Sequence, residues 1–153
     1  MWLPEVAGGW YDFRTGEQSR GGQYIQARAP LGRAPAYIRA GAVLPLGPAP
    51  SWAAGPLTLR LFPAIGANGT LELYDDDGES AVSRARPPCL IHVEAAWAEG
   101  RAHLRLSRSG THIPRWPEIR FEDRTGAAVL VCANGEEDVA SIPIRELHVK
   151  ETA

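Results

Sequence analysis

The chain has 153 residues, of which 44% are hydrophobic and 22% charged, with a formal net charge of −2. That is the size and composition of one ordinary globular domain or two small ones packed together. The charge balance excludes a nucleic-acid footprint, which needs a basic face, and no run approaches the roughly 18 apolar residues of a membrane-spanning helix.

The N-terminal stretch MWLPEVAGGW lacks a charged n-region and an apolar h-region, so no signal peptide is read there and the expected compartment is cytoplasmic. Next come GWYDFRTG and QYIQARAP, aromatic or β-branched runs separated by the turn-rich GEQSRGG. Residues 46–56, LGPAPSWAAGP, have no periodicity and form the expected boundary between a unit over 1–50 and another over 51–153. Fifty residues of strand and loop make a poor core alone, so the first unit is expected to need a neighbour. Leu57, Leu59 and Leu61 then alternate with Thr58 and Arg60, and Leu71 and Leu73 flank Glu72 after the turn GANG, which reads as a hairpin.

A second hairpin is expected where Ile91, Val93 and Ala95 share one strand face and Ala102, Leu104 and Leu106 another, around Glu99-Gly100. Downstream, EIRFED, AAVLVC and IRELHV are short runs divided by RTG and NGEED. Many short strands with a turn every eight to twelve residues indicate an all-β fold, an antiparallel β-sandwich.

Chemistry is most conspicuous in LELYDDDGES, residues 71–80. Gly78 set at position six of a calcium loop places Leu73 at position one and Arg84 at position twelve, so the EF-hand reading fails. Same-face residues on a strand lie about 7 Å apart, so Asp75 and Asp77 have the separation of a glycosidase carboxylate pair. Such a pair must flank a sugar in a cleft that differentiates the two acids. Adjacent acids at a turn tip are instead expected to be solvated, with Asp77-Gly78 supplying the turn. His92, His103, His112 and His148 show no HxxxH or HxH spacing, and Cys89 and Cys132 have no partner at metal-site distance, so no metal and no cofactor is expected. The two cysteines read as buried free thiols. Of the five tryptophans, Trp52 and Trp116 stand in proline-flanked connector sequence and are the candidates for a sugar-stacking platform. The ordinary reading of aromatics in a small sandwich is core or interface.

Three ordered segments resemble the C-terminal part of glycoside hydrolase family 31, the retaining α-glucosidases and α-xylosidases: WLPEVAGGWYDFRTGE, GGQYIQARAPLGRAPAYIRAGAVLPLGP and LTLRLFPAIGANGTLELYDDDGES. The resemblance runs over about residues 2–82 and is diffuse beyond Val82. It implies a partial proximal β-sandwich followed by a distal β-sandwich, with the opening strands of the first expected upstream of Met1. It also implies that the catalytic aspartates belong to a (β/α)8 barrel, so no residue of this chain is expected to be catalytic and the acidic turn Asp75–Glu79 is structural or solvated. Gly32, Ala34 and Ala36 depart from the bulkier residues usual at those positions. The expected role is therefore a non-catalytic region of a glycosyl hydrolase that braces its catalytic barrel, with APAYIRAGAVLPL (residues 34–46) as contact segment and self-association through an exposed strand edge. The alternative is a free-standing carbohydrate-binding module.

Overall fold

The computed structural model describes residues 1–47, 55–76, 78, 87–133 and 139–143, from 128 onward by their backbone. Among them there is no helix, and strands account for all regular structure.

The N-terminal unit is built from very short strands. β1 (Trp2–Leu3) pairs with β4 (Gln23–Tyr24) as a two-stranded ribbon, while β2 (Trp10–Asp12) lies between β3 (Gln18–Ser19) and β5 (Tyr37–Arg39). The β2–β3 turn is held by the Asp12 side chain, whose Oδ1 accepts the backbone N–H groups of Arg14 at 2.8 Å and Thr15 at 3.0 Å.

The rest forms two four-stranded sheets. One has β6 (Val43–Leu46), β7 (Leu57–Leu61), β11 (Glu118–Glu122) and β12 (Ala128–Ala133), in the order β12-β11-β7-β6. The other has β8 (Asn68–Asp75), β9 (Cys89–Ala98), β10 (Arg101–Ser109) and β13 (Val139–Pro143), in the order β13-β10-β9-β8. Period-two alternation turns Leu57, Leu59, Leu61, Ile119 and Phe121 of the first sheet toward Ile91, Val93, Trp97, Leu104 and Leu106 of the second. The core between the layers is the one a face-to-face sandwich requires. β6 precedes the Pro/Gly connector and β7 follows it, yet the two pair antiparallel, Val43 opposite Leu61.

The β9–β10 hairpin forms as its alternation indicates, with Ala98 opposite Arg101. Both turn residues, Glu99 (φ 52°) and Gly100 (φ 70°), adopt the left-handed conformation of a two-residue primed turn. The other expected hairpin does not exist. β7 pairs with β6 and, in parallel, with β11, whereas β8 pairs with β9 in the opposite layer. Residues 62–67 are a crossing between sheets, because the leucines of β7 and β8 cover the same core from opposite sides.

That crossing also anchors the N-terminal unit. Phe62 and Ala64 pack with Tyr11 and Ala40 in a second small core. The Tyr11 and Phe62 rings lie 5.7 Å apart, and the buried Tyr11 hydroxyl donates to the Pro63 carbonyl at 2.8 Å. Gly8 (φ +75°) completes the joint, since a Cβ there would come within 2.9 Å of the Ala40 and Ala64 methyls.

Two stability measurements test this packing. Leu59→Ala, at a fully buried position, should lower the unfolding free energy by about 2–5 kcal/mol in denaturant titration. Glu99→Asn should raise it by a few tenths to about 1 kcal/mol, because asparagine tolerates positive φ better than glutamate.

Candidate functional site

The acidic stretch is a structural lock. β8 alternates outward and inward, and the alternation turns Asp75 inward to 3% exposure. Its Oδ1 accepts Nε–H and Nη2–H of Arg115 at 2.8 and 2.7 Å, and its Oδ2 accepts the Arg115 backbone N–H at 3.0 Å. His112 Nε2 stands 3.9 Å away. Forked donation from a guanidinium is among the stronger neutralisations a carboxylate can receive. Asp76 accepts the Tyr74 hydroxyl at 2.6 Å and the Gly78 N–H at 2.9 Å, while its carbonyl accepts Arg115 Nη2–H at 3.2 Å. The expectation of solvated acids is thus corrected at Asp75: alternation carries it into the sandwich, where an arginine forty residues away binds it. Asp77 and Glu79 lie outside the described residues.

Asp123, the other buried acid among the described residues, organises the β11–β12 turn. Its Oδ1 accepts the Thr125 N–H at 2.8 Å, the Thr125 hydroxyl at 2.7 Å and the Ala127 N–H at 2.9 Å. Among the described residues no group of three or more His, Cys, Asp or Glu is placed to hold a metal ion. Cys89 is a free, fully buried thiol; burial pushes its pKa up, Arg108 works against that and Asp75 adds to it. A thiol held protonated by burial is a poor nucleophile.

Of the tryptophans proposed to stack on sugars, Trp52 lies outside the described residues, and Trp116 is half-buried and packs against the sandwich core beside the Asp75 lock. The segment 34–46 is in part an internal element, with Ala34 and Ala36 exposed. Ala40 and Val43 are buried, and Ile38 and Leu44 pack on the small core, because β5 and β6 turn their apolar residues into this chain's own interior.

Exposed large apolar side chains occur singly at Leu31, Ile65, Tyr74 and Ile113, and as a pair on the β1–β4 ribbon. Trp2 is 49% exposed and Tyr24 is 80% exposed, and they face each other across the strand pair with ring centroids 5.0 Å apart. Met1, also exposed, is held beside them by reciprocal backbone bonds with Ile25. Sequence reasoning missed this pair. The signal was present in two aromatics on runs cut short by Pro4 and by Gly21-Gly22, too short to bury them.

A two-layer β region with bound-up acids and an open aromatic ribbon has relatives. Residues 1–44 match the family described as "Glycosyl hydrolase family 31 C-terminal domain". The chain is 43% identical over 105 residues to the alpha-xylosidase of Saccharolobus solfataricus and 31% identical over 112 residues to Alpha-glucosidase 2 of Bacillus thermoamyloliquefaciens. Those matches cover 65% and 71% of this chain but 14% of each relative. The crystal structure of the GH31 alpha-xylosidase from Xanthomonas citri superposes with a TM-score of 0.74 and 26% identity, over 94% of this chain and 17% of that one. The class is therefore an all-β region similar to the C-terminal part of these enzymes. More closely, the chain is similar to the C-terminal region of family 31 glycosyl hydrolases, and it spans about one seventh of the length of the curated relatives it matches.

If Asp75 is a lock, Asp75→Asn should lower the unfolding free energy by about 1.5–3 kcal/mol, the value of hydrogen bonds to a charged group. Arg115→Met should cost a similar amount, and a double-mutant cycle should show the two losses to be strongly non-additive.

Proposed function

We propose that the chain is the non-catalytic bracing layer of a retaining α-glycosidase, and that it docks on the catalytic barrel of that enzyme through the β1–β4 ribbon. The observation that carries this reading is the exposed Trp2–Tyr24 pair, which lies within the family-matched residues 1–44. Aromatic pairs this open are costly to leave in water and are enriched at interfaces. The relatives supply the kind of partner, since the matched region is a small part of chains named for α-glucosidase and α-xylosidase.

Bracing also agrees with how the ribbon is supported. Behind it, Trp10 Nε1–H donates to the Pro4 carbonyl at 2.8 Å, and Gln18 Nε2–H donates to the Gly8 carbonyl at 2.6 Å. These bonds fix the loop after β1 to β2 and β3, so the aromatic pair is presented on a preset frame. A rigid frame lowers the ordering cost of docking.

Alone, the chain should elute as a dimer or larger species in size-exclusion chromatography, because an uncovered aromatic ribbon and a short strand edge favour self-association. A double change, Trp2→Ser with Tyr24→Ser, should shift it toward monomer. The same double variant should lose co-purification with a family 31 catalytic domain truncated before this region. Clean monomer for the unaltered chain at high concentration, together with co-purification unaffected by the double change, would overturn the assignment.

A further inference from the structure

We infer that the outer face of the β13-β10-β9-β8 sheet holds a binding site for a neutral sugar unit, separate from the docking ribbon and from the tryptophans singled out in the sequence. The pairing register builds it. One row across the sheet runs Asn68, Ala96, His103, and the next runs Thr70, Glu94, Arg105. All six lie on the side of the strands opposite the core. Ala96 is the short side chain in the middle of the first row, so the sheet dips over its methyl group. The result is a hollow of about 370 Å³, at the lower end of the roughly 300–1,000 Å³ typical of small-molecule sites.

The walls are polar and uncommitted. Among the described residues, the side chains of Asn68, Thr70, His103 and Arg105 make no hydrogen bond or ion pair with the protein. Glu94 has one ion-pair contact, to the half-exposed His92 at 3.4 Å. An amide, a hydroxyl, an imidazole, a guanidinium and a carboxylate together offer donors and acceptors in roughly equal measure. That mixture suits vicinal hydroxyls, each of which donates and accepts. It does not suit an anion, because Glu94 stands directly opposite Arg105 in the strand register and cancels its charge. The apolar floor at Ala96 offers contact for one face of a pyranose ring.

The site does not depend on the docking proposal, since it lies on strands that take no part in the β1–β4 ribbon. Amide NMR spectra of the full chain, titrated with maltotriose, isomaltotriose and xylobiose and separately with inorganic phosphate, test it. At least one of the sugars should give saturable shifts confined to residues 68–70, 94–96 and 103–105. Ala96→Trp, which fills the hollow on an outward-facing position, and Asn68→Ala should each weaken that response roughly tenfold, with the remaining spectrum unchanged. Three results would overturn the inference: no shift with any of the sugars at tens of millimolar, shifts that survive both substitutions, or a phosphate response at these residues as strong as the sugar response.

Discussion

The contact on which the rest of the molecule depends is that of Tyr11 with Phe62 and the Pro63 carbonyl. The N-terminal unit has little else to hold it to the sandwich. The three-stranded N-terminal sheet has strands of two or three residues and almost no interior of its own, and such sheets are marginal in isolation. Tyr11 supplies a large apolar ring, and its hydroxyl meets an acceptor inside the joint, so burial leaves no polar group unpaired. Burial pushes the Tyr11 phenol pKa up, and the Arg124 guanidinium, 5.5 Å above the ring, works against that. Arg124 Nη1–H also donates to the Gly16 carbonyl, and Arg60 lies over the Phe13 ring while its guanidinium pairs with Glu122 at 2.9 Å. Two arginines from the sandwich thus lie over two aromatics of the N-terminal sheet. Cation–π contacts of this type are worth about 0.5–2 kcal/mol each, depending on desolvation.

The same joint decides which surfaces are left open. With Ala40, Val43, Phe62 and Ala64 buried in the chain's own cores, segment 34–46 turns part of its apolar surface inward. The β1–β4 ribbon is held away from both cores, so its aromatics stay outside. On the far side, closure of the sandwich over Trp97, Leu59 and Phe121 turns the alternate residues of β8, β9 and β10 outward. The hollow over Ala96 is a by-product of that alternation and of one small side chain at one register position.

The sequence made some of this legible and hid the rest for definite reasons. The β9–β10 hairpin could be read because its partners are adjacent in the chain and Glu99-Gly100 sets their register. The all-β layering could be read from alternation that recurs from Leu57 to Phe121. The fate of β7 and β8 could not, because alternating leucines look the same whether two strands pair side by side or face each other across a core. GANG resembles a hairpin turn, yet the residues just before it carry the chain between layers. The parallel pairing of β7 with β11 joins segments some sixty residues apart and has no local signature. Asp75 was hidden for the same reason. A run of acids signals solvent, and only the fold reveals that Arg115 approaches the inward-facing one. The resemblance to family 31 left the acids as structural or solvated, and it did not supply the partner that fixes Asp75.

The two buried acids are held by groups of their own scaffold. Glycoside hydrolysis needs two carboxyl groups whose environments differ, one able to hold a proton and one to act as nucleophile or base. Asp75 has both oxygens engaged by Arg115, and Asp123 has three donors on one oxygen at a turn. Each is held by donors that belong to its own scaffold, and they sit in different places, one at the end of β8 and the other after β11. A carboxylate saturated in this way contributes rigidity. Asp75 fixes the loop around Arg115 against β8, and Asp123 fixes the β11–β12 turn whose Arg124 meets Tyr11. These two carboxylates are used to hold loops, while the aromatic ribbon and the polar hollow face outward. The physical division is between groups bound within the fold and groups presented outward, and in this chain the acids with buried carboxylates fall in the first set.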